Sequence, residues 1–164
     1  ANELKEDFKS AGISPGAIVS ATGSGGTLAG LIIGNALYEL NTKVIAFNVC
    51  DDEAYFKRKI SKDFVLWKDR YGSGLDIDRM PINVVDGYVG PGYGRATPEV
   101  FETIREVARL EGIVLDPVYT GKAFNALLQE TKSGKFAGLS DIVFIHTGGM
   151  LGLFPQKQQL FGTG

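Results

Sequence analysis

The sequence predicts a three-layer αβα fold, a parallel sheet covered by helices on both faces. Two observations carry the prediction. Short apolar runs of strand length alternate with segments of helical periodicity, the pattern of parallel strands buried on both sides. Glycine clusters follow those runs, at the strand carboxyl ends where sheets of this kind bind their ligands.

Each element has a local reason. Asn2 to Ala11 is polar with Leu4 and Phe8 at i, i+4 spacing, which predicts a helix closed by Gly12. Ser14-Pro15-Gly16 turns the chain into the apolar run Ala17 to Ala21, a buried strand. Thr22-Gly23-Ser24-Gly25-Gly26-Thr27 then forms a turn, and Leu28 to Leu40 reads as a helix apolar on nearly every side. Lys43 to Val49 is the second strand. Asp51 is expected to cap the next helix, with Asp52 and Glu53 in its first turn and an end near Tyr71. Phe56, Ile60, Phe64 and Trp67 recur at helical spacing and are expected in the core.

Residues 72–81 form a polar connection, and Ile82 to Val85 predicts a short strand. Asp86-Gly-Tyr-Val-Gly-Pro-Gly-Tyr-Gly94 is a shaped loop that presents aromatic side chains. Thr97-Pro98-Glu99 opens a helix with threonine at the cap, proline at the first position and an acid in the first turn. Val100, Ile104, Val107 and Ala108 line one face of it, and Gly112 ends it. Ile113 to Leu115 predicts a short strand, and a helix follows from Lys122 to Lys132. Ile142 to His146 is the last buried strand, with Thr147-Gly148-Gly149 at its carboxyl end and an apolar segment reaching Phe154. This order makes the sheet Rossmann-like and the chain a single α/β domain over residues 1–164.

Composition narrows the functions. The chain has 164 residues, 44% hydrophobic and 22% charged, enough for a proper core. A net charge of −2 without a basic block argues against nucleic acid and anionic membrane as partners. The single cysteine, Cys50, excludes an internal disulfide and fits a reducing compartment, so a cytoplasmic location is expected. One Cys and one His also leave little for a metal site. The sequence shows no signal peptide or spanning segment.

The glycine turn is the strongest local signal for chemistry. Strand, glycine turn and buried helix together make a phosphate cradle. Glycines let backbone N–H groups converge on an anion, and the helix start adds unpaired donors and the positive dipole end. Thr22, Ser24 and Thr27 can add hydroxyl donors. The Walker pattern is excluded, because Gly26-Thr27-Leu28 contains no lysine. Leu28 stands where the dinucleotide fingerprint needs a small residue. Segments 22–27, 87–94, 116–121 and 147–149 are expected to converge on one rim.

Four of these segments together resemble a known family. Thr-Gly-Ser-Gly-Gly-Thr at 22–27 and Gly-Pro-Gly-Tyr-Gly at 90–94 are followed by Leu-Glu-Gly-Ile-Val-Leu-Asp-Pro-Val-Tyr-Thr-Gly-Lys-Ala at 110–123 and Phe-Ile-His-Thr-Gly-Gly at 144–149. The set is similar to the carboxyl-terminal half of the D-cysteine desulfhydrase and 1-aminocyclopropane-1-carboxylate (ACC) deaminase family, fold-type-II pyridoxal-phosphate enzymes. The resemblance implies pyridoxal 5'-phosphate as cofactor, a small amino-acid substrate, and a homodimer in the complete enzyme.

It also implies roles. Thr22, Gly23, Ser24, Gly25, Gly26 and Thr27 would hold the cofactor phosphate. Thr147, beside Gly148, would meet the pyridine nitrogen with a neutral hydroxyl. Tyr119 would pack on or beside the ring, and Tyr93 would stand near the substrate, making these two the catalytic candidates. Thr120 is counted with the cofactor-binding residues and separates the relatives. The deaminase has glutamate after the matching tyrosine; the desulfhydrase has threonine. The implied reaction is therefore α,β-elimination from a D-amino acid, with D-cysteine giving pyruvate, hydrogen sulfide and ammonia. ACC deamination and cysteate sulfo-lyase activity remain alternatives, and so does a non-catalytic module that binds a nucleotide or sugar phosphate. His146 reads as a strand-end residue satisfied by backbone, and Cys50 as a packed thiol. No lysine lies in the context of the family's aldehyde-binding lysine, and Lys122 reads as structural. The expectation is of a carboxyl-terminal piece of a large domain, inactive alone.

Overall fold

The computed structural model describes residues 1–72 and 74–161. Of the connection expected at 72–81, Ser73 lies outside the described residues.

The elements are α1 (Asn2–Ala11), β1 (Ala17–Thr22), α2 (Gly26–Leu37), β2 (Lys43–Asn48), α3 (Glu53–Tyr71), β3 (Asn83–Val85), α4 (Pro98–Glu111), α5 (Thr120–Lys132), β4 (Ile142–Ile145) and α6 (Lys157–Phe161). Short 3-10 turns occupy Ile77–Arg79 and Met150–Gln156. The strands lie in the order β3-β2-β1-β4, every pair parallel. Ala17 pairs with Lys43 on one side and Ile142 on the other, so β1 is flanked on both sides from Ala17 to Ser20, while Ala21 and Thr22 pair with β2 alone. Every residue of β1 is buried, which explains its apolar sequence.

The strand period of two sorts β2 between the faces. Val44 and Ala46 meet Leu28, Ile32 and Ile33 of α2 and Phe56, Ile60 and Phe64 of α3. Ile45 and Phe47 meet the opposite layer, with Ala123, Ala126 and Leu127 of α5. Helix α4 stacks outside α5 and buries Val100, Phe101, Ile104 and Val107 with Leu115 and Leu160. Each such side chain contributes roughly 1.5–3 kcal/mol of transfer free energy. The three-layer αβα expectation holds.

Three local expectations differ from the structure. Ile113 to Leu115 is no strand: the three residues pass between the left-handed Gly112 and the turn at Asp116-Pro117 without joining the ladder. Their β-branched composition suggested a strand, but only Leu115 is buried, and it packs under α4. The cap of α3 is Asp52, whose carboxylate accepts from Tyr55 N–H at 2.6 Å. Asp51 instead accepts from the Cys50 thiol at 3.2 Å. Finally, α2 begins at Gly26 and stops at Leu37, because Glu39 and Asn41 take φ of 53° and 56°.

Candidate active site

The site begins where β1 ends. Gly23, Ser24 and Gly25 turn the chain, and Gly25 caps α2 at φ 84°. A Cβ on Gly25 would lie 3.4 Å from Ile60 Cγ1, and one on Gly23 would lie 3.0 Å from Tyr119 Cε1. The second contact places the Tyr119 ring directly on the backbone of the turn. The first N–H groups of α2 have no partner within the helix and carry its positive end. Thr22 Oγ1 is buried without a hydrogen-bond partner, while Ser24 and Thr27 are exposed beside it.

Tyr119 is aimed by a buried carboxylate. Asp116 Oδ2 accepts from the N–H groups of Val118 at 2.7 Å and Tyr119 at 2.8 Å. Its Oδ1 accepts from Thr120 N–H at 2.8 Å and Thr120 Oγ1 at 2.7 Å. Thr120 Oγ1 in turn accepts from Asp116 N–H at 2.9 Å. Asp116 and Thr120 are both fully buried. The ring is thus the outward product of a turn closed on the inside by charge-assisted bonds.

Tyr93 reaches the site from the glycine loop. Its hydroxyl contacts the Tyr119 hydroxyl, and the rings meet edge-on with centroids 5.9 Å apart. That bond, followed by burial, pushes Tyr119 up to about 12, so its phenol stays protonated. Cys50 follows β2 and donates to the Gly23 carbonyl at 3.3 Å. Burial, then the Asp51 carboxylate, pushes the Cys50 thiol up to about 11, which keeps it un-ionised and a poor nucleophile.

The fourth segment is set by His146. Its Nδ1 accepts from Gly148 N–H at 3.2 Å, which leaves the proton on Nε2, 3.0 Å from the Val114 carbonyl. The ring therefore holds a turn rather than a reacting proton. Gly148 and Gly149 both take left-handed φ, 90° and 92°. A Cβ on Gly149 would lie 2.7 Å from the Asp116 carboxylate, so the turn can pack there only as glycine.

These segments enclose a cavity of about 520 Å³ lined by Ala21, Gly23, Ser24, Thr27, Cys50, Tyr93, Tyr119, Thr147 and Gly149. Such a volume suits a cofactor with a small substrate, within the roughly 300–1,000 Å³ usual for ligand sites. Of the residues singled out from the sequence, Gly23, Ser24, Thr27, Tyr93, Tyr119 and Thr147 line it. Thr22 at the end of β1, Gly25 at the cap of α2, Gly26 at its first position and Gly148 in the last turn do not line it. Thr120 turns inward onto Asp116 and presents no group to the cavity. Ala21 and Cys50 line it without having been singled out from the sequence, and Gly149 belongs to the 147–149 segment expected at the rim. Cys50 was findable, since it follows the carboxyl end of a central strand.

A glycine turn at a helix start, facing the Thr147 hydroxyl and two tyrosines across one cavity, suits a protein that binds a phosphorylated planar cofactor. The glycine turn, the exposed Ser24 and Thr27 hydroxyls in the lining and the cavity volume fit pyridoxal phosphate. Among the described residues no group of three or more His, Cys, Asp or Glu could hold a metal ion, and no helix is long and apolar enough to cross a membrane. The family pattern described as "Pyridoxal-phosphate dependent enzyme" matches residues 1–148, and the chain belongs to that family.

Its relatives carry both expected names. A putative 1-aminocyclopropane-1-carboxylate deaminase of Thermotoga maritima is 41% identical over 145 residues, 88% of this chain and 44% of the relative. A mitochondrial bifunctional D-cysteine desulfhydrase/1-aminocyclopropane-1-carboxylate deaminase of Arabidopsis thaliana is 43% identical, over 87% of this chain and 34% of the relative. A D-cysteine desulfhydrase of Yersinia pestis is 36% identical, over 87% and 43%. A crystal structure of an ACC deaminase homologue superposes with a TM-score of 0.84 at 33% identity, covering 97% of this chain and 47% of that one. The chain spans less than half the length of each of these relatives.

Proposed function

We propose that the complete enzyme carries out pyridoxal-phosphate-dependent α,β-elimination on a D-amino acid, with D-cysteine and water giving pyruvate, hydrogen sulfide and ammonia. The observation that carries the reading is the single cavity shared by Gly23, Ser24, Thr27, Thr147, Tyr93 and Tyr119. When bound, the cofactor supplies an electron sink for the carbon that loses its proton. The protein's part is orientation and electrostatics. The 22–27 turn and the start of α2 hold the phosphate, with Ser24 and Thr27 as added donors. Thr147 would offer the pyridine nitrogen a neutral hydroxyl, which does not hold that nitrogen protonated as a carboxylate partner would, so the ring would draw electrons less strongly. Tyr119 would flank the ring and, through its bond to Tyr93, keep its phenol proton beside the substrate.

Thr120 favours the desulfhydrase reading over the deaminase reading. A glutamate at that position would bring a second carboxylate against the buried Asp116, where like charges destabilise each other strongly. Lys122 is not a substitute for an aldehyde-binding lysine, since its Nζ donates to two loop carbonyls outside the cavity lining.

The test uses the complete enzyme loaded with pyridoxal phosphate. Sulfide release from D-cysteine is expected, with 1-aminocyclopropane-1-carboxylate left intact. Comparable ammonia release from the cyclopropane overturns the substrate choice. Tighter binding of ATP or NAD than of pyridoxal phosphate overturns the enzyme reading as a whole.

A further inference from the structure

Lys122 is 1% exposed and takes no part in the cavity. Its Nζ donates to the carbonyls of Val89 at 2.6 Å and Gly92 at 2.8 Å. Both carbonyls belong to the loop that carries Tyr93. The loop runs through Gly90, Gly92 and Gly94 at φ of +68°, +134° and +74°, a path that no strand ladder can hold. Among the described residues its internal backbone support is the bond from Arg95 N–H to the Gly92 carbonyl at 3.2 Å. Further ties come from outside it: Asp86 accepts from the Asn48 carboxamide and from Glu53 N–H at 3.0 Å at the loop's start, Tyr88 donates to Glu130 at 2.7 Å, Gln156 donates to the Gly94 carbonyl at 3.0 Å, and the Tyr93 and Tyr119 hydroxyls meet. Lys122 is the tie that grips the segment immediately before Tyr93.

It does so from the other tyrosine's own helix. Tyr119 caps α5 and Lys122 follows in its first turn, so the two share a face at i, i+3 spacing. We infer that Lys122 is a positioning residue for the tyrosine pair, its buried ammonium fixing the Tyr93 loop to the helix start that carries Tyr119. The residue type suits the task. An ammonium on a long stem has several donors and reaches two carbonyls that a shorter side chain could not bridge. Burying it is unfavourable, and desolvation lowers its pKa. The nearby Asp116 carboxylate acts in the opposite direction. The same Asp116 orients Tyr119, so one carboxylate supports both halves of the pair.

The inference rests on the proposed function only in treating the two tyrosines as catalytic; their geometry is tested without substrate or cofactor. Lys122→Met keeps the apolar stem and removes the donors, and Lys122→Gln keeps donors on a shorter stem. Tyr93→Phe serves as reference. Two readouts apply to the protein: hydrogen exchange of the amides at 88–95, and the tyrosine Fermi doublet in ultraviolet Raman spectra, which reports phenol hydrogen bonding. Lys122→Met should speed exchange in that loop on the order of tenfold to a hundredfold, the loss of charge-assisted bonds. It should also reproduce the spectral change of Tyr93→Phe at Tyr119, with Lys122→Gln intermediate. A folded Lys122→Met or Lys122→Gln protein with the wild-type Tyr119 signature overturns the inference. Loss of far-ultraviolet dichroism in both variants also overturns it, because Lys122 would then support the core rather than the loop. Failure of pyridoxal phosphate to bind wild-type protein, read by absorbance, counts against the proposed function and leaves this result standing.

Discussion

Asp116→Asn tests the turn on which the site is built. In the wild-type protein the carboxylate accepts four bonds: Val118 and Tyr119 N–H on Oδ2, Thr120 N–H and Oγ1 on Oδ1. A carboxamide has one oxygen and one NH2. The best placement keeps the oxygen on the Val118 and Tyr119 pair, because both of those partners are obligate donors. The NH2 then faces Thr120, whose hydroxyl can turn to accept while its N–H is left against another donor. One buried N–H is lost, and the surviving bonds drop from charge-assisted to neutral strength. At roughly 1.5–3 kcal/mol for a bond to a charged group and 0.5–1.5 for a neutral one, less the relief of not burying a charge, the net loss is about 2–4 kcal/mol. A domain with about 5–15 kcal/mol of stability survives that, so the variant should fold. Urea denaturation should report a lower midpoint at unchanged slope, with a change in the near-ultraviolet tyrosine signal as Tyr119 loses its anchor. A loss under about 0.5 kcal/mol with the tyrosine signal intact would refute the claim that this carboxylate aims Tyr119.

Two further predictions follow from the cavity. In the complete enzyme Thr27→Ala removes a hydroxyl donor from the anion cradle and should weaken pyridoxal phosphate binding by about 1.5–3 kcal/mol, read as a cofactor absorbance titration; unchanged affinity would move the phosphate elsewhere. Tyr119 is raised from 10.0 to about 12 by its bond to Tyr93 and then by burial, so folding favours the protonated phenol. That contribution is complete below the ordinary phenol value and is lost as pH rises through the window up to about 12. Tyr88, pushed to about 12 by burial and then by Glu130, titrates in the same window. Tyr93→Phe should therefore reduce the alkaline loss of stability without abolishing it; an identical pH profile in the variant would rule out the coupling.

The elements that were legible in the sequence are those determined by near neighbours. Gly12 and Gly112 close their helices in left-handed geometry, as glycine after a periodic segment implies. Pro98 sits at the start of α4, and Phe56, Ile60 and Phe64 face the core. The apolar runs 17–21 and 43–49 became the buried central strands, because a parallel strand covered on both sides can carry little else, whereas the run at 142–146, expected to be buried, forms an edge strand whose residues Ile142–Ile145 are only half-buried. What failed was determined at a distance. Ile113 to Leu115 has strand composition, but a strand requires a partner with free ladder groups, and the turn at Asp116 takes the chain away first. Of the adjacent Asp51 and Asp52, both suited to capping by residue type, Asp52 caps α3 and Asp51 accepts from the Cys50 thiol.

The same distinction decides how Thr120 bears on substrate choice. In one dimension Tyr119 and Thr120 are neighbours, and a difference at either is naturally read as a difference in what touches the cofactor. At the start of α5, however, successive side chains diverge by about a quarter turn or more. Tyr119 goes out to the cavity and Thr120 goes in to Asp116. Thr120 therefore acts on the site at one remove, through the carboxylate that also holds Tyr119 N–H and lies against Gly149. A larger acidic side chain at 120 would have to displace that carboxylate or turn outward, and either change would move Tyr119 and the 147–149 turn together. Thr120 thus bears on the cavity through Asp116 and adds no group to its lining. Substitution of Thr120 alone is therefore expected to disturb stability and Tyr119 placement before it changes the reaction, and a change of chemistry requires the surrounding turn to change with it.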